Sequence, residues 1–361
     1  MKGRVLVAMS GGVDSSVAAL LLQKAGWEVT GCTLRLHLDD PDAPPREGGC
    51  CSFSDVQDAR RVCYALGIDH LVFNMTDLFA EKVIRNFVDE YNAGRTPNPC
   101  IRCNRYLKFG AILQKAQLLG YDHIATGHYA RVAENPDTGR WELLTSPCGK
   151  DQSYVLYSLT QEQLAHTLLP LASLPKPEVR RLAEEAGLPV AHKPDSQDIC
   201  FVPDNDFAGF LCKQNGHDSA PGDFVDAAGH VLGRHRGLTH YTVGQRKGLG
   251  IAFGEPMYVT ALDAVHNRVV LGPAGSQYRA EVWVDAPNWV SIPAPNAPLR
   301  AQVKVRYQAK PAPALLTPQP DGRLHVQFDA PQRAPAPGQA AVFYDGDRVL
   351  GGGILSDMNQ A

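Results

Sequence analysis

The sequence predicts an α/β protein. A parallel-sheet N-terminal domain (1–209) is followed by a small β-rich domain (210–278) and a β-barrel-like C-terminal domain (279–361). Three observations carry this reading. Through the first two hundred residues, strand-like apolar runs alternate with helical patterns, the mark of βαβ units that bind ligands at the carboxyl ends of their strands. A Gly-rich turn, Ser10-Gly-Gly-Val-Asp-Ser-Ser16, joins the first strand to the first helix. Eleven of the 27 prolines fall between positions 287 and 337, which excludes long helices there.

Taken in order, residues 5–9 read as a strand followed by a helix over 14–25, and 29–36 as a strand followed by a helix over 54–66. Residues 70–74 precede a helix over 77–92, and a helix over 105–119 leads to a short strand at 124–126. The connection 37–53 is long and rich in Pro, Gly and Asp, which predicts a lid. Residues 161–186 carry helical patterns, with Pro175 and Pro177 at a helix start. From about position 220 the runs are short and β-like: 225–226, 257–262, 268–271, 281–284, 300–307, 324–328, 340–344 and 348–354.

Composition narrows the function. With 44% hydrophobic and 20% charged residues, the 361-residue chain is an ordinary globular one. No run approaches the roughly 18–20 apolar residues of a membrane span, and the first strand follows Met1 without a signal segment. A cytoplasmic protein that does not bind membranes is the expectation. A formal charge of −3 argues against a wholesale nucleic-acid binder but leaves room for a local patch. One such patch is Arg234, His235, Arg236, His240, Arg246 and Lys247, in a stretch with no Asp or Glu. Nine cysteines without a secretory signal are expected as thiols. Cys32 and Cys63 sit in apolar patterns and read as core, and Cys148 and Cys212 carry no recognisable chemistry. Cys50, Cys51, Cys100, Cys103 and Cys200 are left to explain.

Two constellations carry chemistry. In the Ser10–Ser16 turn, Gly11 and Gly12 let the backbone approach an anion, and the helix that follows presents N–H groups and the positive end of its dipole. Ser10, Ser15 and Ser16 add hydroxyls, and Asp14 is placed to cap the helix or hold a metal ion. The turn lacks the Gly-Lys-Ser/Thr ending of a Walker loop. The second constellation is Thr96-Pro-Asn-Pro-Cys100-Ile-Arg-Cys103-Asn104, an extended approach that delivers Cys103 close to a helix start between Arg102 and Arg105, influences that favour its thiolate. A nucleophile or redox pair, half a zinc site and a structural role are all compatible with Cys-x-x-Cys, although no second pair completes a zinc site. Cys200 lies 97 positions beyond Cys103, in Asp195-Ser-Gln-Asp-Ile-Cys-Phe201. Its acidic neighbours suit a persulfide, which ionises more readily than a thiol.

The Ser10–Ser16 turn resembles the PP-loop of ATP pyrophosphatases, which activate an oxygen as its adenylate. That turn, Gly49-Cys50-Cys51-Ser52, Thr96–Pro99, Cys103-Asn104, Ala125–Ala130, Lys150–Tyr154, Asp195–Phe201, His240–Gly248, Val305-Arg306-Tyr307 and Pro337–Ala340 all occur in order. Together they resemble the bacterial tRNA-specific 2-thiouridylase family over essentially the whole chain. The resemblance implies that Ala8, Met9, Ser10, Gly11, Gly12, Val13, Asp14 and Ser15, with Leu34 and Gly127, hold ATP; Mg²⁺ is expected with it, without assigned protein ligands. It makes Cys103 the nucleophile and Cys200 the persulfide carrier. By the same resemblance, Asn98, Pro99 and Cys100 approach the target base, while His128, Lys150, Asp151, Gln152, Arg306, Tyr307 and Gln339 contact tRNA.

The implied substrate is the wobble uridine of a tRNA anticodon stem-loop. The implied sulfur source is an upstream persulfide donor protein or cysteine desulfurase, and the free enzyme is expected as a monomer. Some members carry an acid where this chain has Cys100. Ligation of an iron–sulfur cluster by Cys100, Cys103 and Cys200 is an alternative. A GMP-synthetase-like or argininosuccinate-synthetase-like ligase would share the turn without requiring the thiols, and a non-catalytic RNA-binding module is the rival from another class.

Overall fold

The computed structural model describes residues 2–36, 53–195, 199–202, 205–252 and 254–356. Most of the expected lid, Cys50, Cys51 and residues 196–198 lie outside them.

The N-terminal elements are β1 (Arg4–Ala8), α1 (Val13–Lys24), β2 (Glu28–Arg35), α2 (Phe53–Leu66), β3 (His70–Asn74), α3 (76–92), α4 (99–118) and β4 (His123–Ala125). Further along come β5 (Ala130–Glu134), β6 (Trp141–Thr145), β7 (Thr167–Leu168), α5 (Lys176–Glu185) and α6 (Phe207–Asn215). The first sheet has the order β3-β2-β1-β4-β7, and every pairing is parallel. Val5, Leu6 and Val7 are fully buried because helices cover both faces, which explains the unbroken apolar run. α1 contacts β1, β2, α2 and α5; its apolar residues point in several directions because it is enclosed rather than amphipathic. The strand order reverses between β1 and β4, so the loops leaving these two strands diverge and open a crevice at their carboxyl ends.

α4 departs from expectation. It begins at Pro99, six residues before the predicted start, because Asn98 caps it by accepting the Cys100 N–H at 3.1 Å and Pro99 occupies the first helical position. Cys103 is therefore one turn inside the helix, and the first-turn thiol is that of Cys100. Residues 103–111 then wind as a π-helix, as do residues 80–84 of α3.

β8 (Gly222–Val225), β9 (Val231–His235), β10 (Met257–Asp263) and β11 (Arg268–Pro273) form a second sheet over Phe224, Leu238, Tyr241, Val259 and Leu271. Part of the basic patch is spent inside this unit. Arg234 pairs with Asp223 at 3.0 Å, and His235 is buried, accepting the Gly237 N–H. Arg236, Arg246 and Lys247 are exposed.

The C-terminal strands are β12 (Tyr278–Asn288), β13 (Leu299–Lys304), β14 (Ala312–Pro318), β15 (Leu324–Arg333), β16 (Ala340–Asp345) and β17 (Arg348–Leu355). They run β12-β15-β14-β13-β16-β17, and β17 pairs back to β12, closing a six-stranded barrel. The β5–β6 hairpin, which the sequence reading did not anticipate, adds to β17 through Arg348–Leu144 and Val349–Leu143. It ties the barrel to the carboxyl end of β4 in the first sheet.

Candidate active site

The turn after β1 and the turn after β4 lie against each other. Gly12 is the residue preceding α1 and places no side-chain cap on it, which leaves the first-turn N–H groups to a ligand. Ser15 accepts the Ser10 N–H at 3.3 Å, and both Ser15 and Ser16 donate to the Gly12 carbonyl, so these hydroxyls hold the turn's shape. Gly11 has φ +69° with Asp55 O 2.5 Å from where a Cβ would sit, so only glycine fits. Gly127 touches the same turn from the other side: a Cβ there would lie 2.7 Å from Asp14 C and Ser15 N. Ala8, Met9, Ser10, Gly12, Val13, Asp14, Ser15, Leu34 and Gly127 line one pocket, while Gly11 shapes the turn without reaching its wall.

Asp14 does not cap the helix. Its carboxylate accepts from Tyr129 OH at 2.7 Å, Lys176 Nζ at 2.6 Å and Lys150 Nζ at 3.2 Å. Lys150 and Lys176 also reach Asp195, at 3.0 and 2.7 Å, and Arg180 adds a third bond to it at 3.1 Å. Burial alone would raise the Asp195 carboxyl, but hydrogen bonds and charge from Lys176 and Lys150 outweigh it and hold the group below the ordinary range. The phosphate-type turn and the segment leading to Cys200 thus share two ammonium groups. The sequence places Asp195 only as an acidic neighbour of Cys200, and Lys176 and Arg180 have no role in it, since a basic residue on a helix ordinarily reads as a solvated face.

A second cavity of about 560 Å³ is lined by Asn98, Pro99, Cys100, Cys103, Cys200, Tyr307 and Gln339, among others. Asn104, next to Cys103, donates to the Val155 carbonyl at 3.0 Å and pins the helix. Across the cavity, Cys200 is held by its neighbour. Phe201 is 3% exposed and packs edge-on against Phe79 and Phe87, with ring centroids 5.6 and 5.1 Å away, and at a tilt against Phe210 at 5.2 Å. The barrel closes one side: Gln339 Nε2 donates to the Thr96 carbonyl at 2.8 Å, and Tyr307 OH donates to the Asp151 carbonyl at 3.1 Å.

The residues expected at tRNA divide by position. Asn98, Pro99, Cys100, Tyr307 and Gln339 face the thiol cavity; His128 and Gln152 line both spaces; Lys150 lies in the pocket with Asp14. Asp151 lines neither, and its carboxylate accepts from Ser146 N, Ser153 N and Ser153 Oγ. Arg306 is half-buried and donates to the carbonyls of Val243 and Ala334, bracing the central domain against the barrel. Burial, then the charges of Lys108 and Lys150, holds the His128 imidazole neutral, well below its ordinary pKa. Its Nδ1 lies 2.7 Å from Thr126 Oγ1. Although Cys100, Cys103 and Cys200 share a cavity, no group of three His, Cys, Asp or Glu side chains among the described residues is placed to hold a metal.

The comparisons agree over the whole length. Residues 3–204 match the family described as tRNA methyl transferase HUP domain, 208–273 its PRC-barrel domain and 279–355 the aminomethyltransferase beta-barrel domain. The chain is 52% identical to the tRNA-specific 2-thiouridylase MnmA of Acetivibrio thermocellus over 98% of this chain and 99% of that protein. It is 53% identical to the protein of the same name from Heliobacterium modesticaldum over 98% of this chain and 93% of that protein. The corresponding protein of Clostridioides difficile is 49% identical over 98% of each. On matches that reach from residue 3 to residue 355, the chain belongs to the tRNA-specific 2-thiouridylase family.

Proposed function

We propose that this protein uses ATP to adenylate the C2 oxygen of the wobble uridine of tRNA, then replaces that oxygen with sulfur from a Cys200 persulfide. The observation that carries the proposal is the shared wall: the cavity holding Cys103 and Cys200 has Ser10, Leu34, Lys108, His128 and Gln152 in common with the anion pocket. A methyl transferase needs no such thiol pair, and a PP-loop ligase would not place thiols beside the nucleotide.

The chemistry follows from the groups present. A uridine carbonyl is a poor electrophile and oxide a poor leaving group, so the C2 oxygen first bonds to the α-phosphorus and pyrophosphate leaves with the electron pair. Mg²⁺ suits a pocket lined by the carboxylates of Asp14, Asp55 and Asp195. Asp14 and Asp195 are bridged by Lys150 and Lys176, so an ion brought in with the nucleotide would have to displace an ammonium group to gain either carboxylate; it would shield charge on the departing pyrophosphate. The terminal sulfur of the Cys200 persulfide bonds to C2, and the C–O bond breaks as AMP departs. The Cys103 thiolate then attacks the Cys200 sulfur. The S–S bond cleaves, its electrons complete the thiocarbonyl, and a Cys103–Cys200 disulfide remains for a thiol reductant to reduce. Unstacking the base costs a few kcal/mol, least in an anticodon loop.

Within this reading residues 1–209 hold the chemistry, while 210–278 and 279–361 grip the tRNA. The persulfide arrives from a cysteine desulfurase or a carrier it loads, and the enzyme works as a monomer in the reducing cytoplasm. No helix among the described residues is long and apolar enough to cross a membrane.

The deciding experiment is mass spectrometry of nucleosides from tRNA incubated with the protein, ATP, Mg²⁺ and a persulfide source. The wild type should yield 2-thiouridine and Cys200→Ser none, although Cys200→Ser should still release pyrophosphate with tRNA. Appreciable 2-thiouridine from Cys200→Ser removes the persulfide role.

A further inference from the structure

Any bond made between the nucleotide and the base beside Cys103 must form at the wall where the two cavities meet. Five residues line both sides of it: Ser10, Leu34, Lys108, His128 and Gln152. Ser10, Leu34 and Gln152 are neutral by type, and burial keeps His128 uncharged. Lys108 is therefore the cation of the wall. Lys150 and Lys193 line the nucleotide pocket but not the thiol cavity.

Backbone winding delivers Lys108 to this position. In an α-helix, five residues advance about 500°, which would turn Lys108 roughly 140° away from Cys103. Residues 103–111 are π-wound, with hydrogen bonds spanning five residues, as the Ile112 N–H to Leu107 carbonyl bond shows where the segment ends. The wider turn brings Cys103 and Lys108 round to one side, and both line the thiol cavity. Lys108 is half-buried and so keeps much of its electrostatic reach. Such π-segments concentrate at functional sites.

We propose that Lys108 is a catalytic residue that holds the α-phosphoryl group through both chemical steps; this rests on the 2-thiouridylase reading above. In the first step the uridine C2 oxygen bonds to the α-phosphorus, the bond to the pyrophosphate oxygen breaks, and the uridine N3 proton passes to water. In the second step the C2–O bond breaks and AMP takes its electron pair, so the α-phosphate gains a negative charge at the wall. An ammonium group that meets this charge as it develops binds the transition state more tightly than the ground state. Lys108 contributes to product departure for the same reason, because it stays with the AMP and not with the tRNA.

The test uses full-length protein and an unmodified tRNA. ATP binding is read by equilibrium dialysis, tRNA binding by filter retention, and tRNA-dependent pyrophosphate release in a single turnover. Lys108→Met should bind both ligands with affinities within about threefold of wild type, while pyrophosphate release slows roughly 100- to 1000-fold, as when one preorganised donor to developing charge is removed. Lys108→Arg should restore part of the rate. Pyrophosphate release by Lys108→Met at the wild-type rate would overturn the assignment. So would equal loss in Lys108→Met and Lys108→Arg accompanied by lost ATP binding, since that marks a packing role. Failure of the parent reading is distinguishable, because wild type itself would then release no pyrophosphate with tRNA.

Discussion

Gly127→Ala tests the close approach on which the nucleotide pocket depends. The added Cβ would stand 2.7 Å from Asp14 C and Ser15 N, whereas ordinary van der Waals contact begins at 3.4 Å. Both obstructing atoms are backbone at the first turn of α1, so neither yields by a rotamer change; the two loops must part by about 0.7 Å, the difference between those distances. Overpacking of this kind costs about 1–3 kcal/mol, and a displacement near 1 Å at a reacting group can cost as much as 100-fold in rate. The parting also shifts Asp14, and with it the bonds from Lys150 and Lys176. Gly127→Ala should therefore raise the KM for ATP by roughly tenfold and slow tRNA-dependent pyrophosphate release by a similar factor, on the scale of a misplaced reacting group. Persulfide loading of Cys200, followed by mass spectrometry of the intact protein, should proceed as in wild type. Unchanged ATP kinetics would refute the claim that these two turns must touch, and lost loading would show that the damage is not confined to the nucleotide side.

Two further outcomes follow from the packing and the charges. Phe201→Ala removes the aromatic anchor beside Cys200, at a cost of about 3–5 kcal/mol for a buried phenylalanine. Pyrophosphate release should persist while 2-thiouridine formation falls and Cys200 alkylates faster than in wild type; thiolation at the wild-type rate would show that Phe201 does not position the thiol. His128 is held neutral by desolvation and by the charges of Lys108 and Lys150, so the unfolded chain takes up a proton near the ordinary value of 6.5 that the folded chain refuses. Its contribution to stability is complete above that pH and is lost as the pH falls towards the depressed folded value. Melting temperatures measured from pH 7.5 to 5 should thus decline less steeply for His128→Asn, and an identical slope would show that His128 is not held neutral by the fold.

Much of the first sheet was legible because its signals are local. The β1–turn–α1 unit and β3 at His70–Asn74 appear where apolar runs and glycines put them. The start of α4 was misplaced because Thr96-Pro-Asn-Pro reads as an extended approach, yet Asn98 and Pro99 are equally good capping and first-turn residues. The β5–β6 hairpin went unread since its partner is β17, some two hundred residues away. Lys108, Lys176 and Arg180 left no trace because nothing local separates a lysine facing a cavity from one facing water.

By itself the sequence determined the chemistry available: an anion-binding turn at a helix start and two thiols flanked by their own motifs. Both are properties of short stretches, set by glycine's freedom, by proline's restriction and by residue type. Only the tertiary structure decided that these parts meet. Strand reversal between β1 and β4 lays Gly127 on the turn, the Phe201 anchor brings Cys200 into the cavity of Cys103, and π-winding sets Lys108 on the wall between thiol and nucleotide. Each of these is a packing contact between distant segments, whose energy exists only once the whole core has formed.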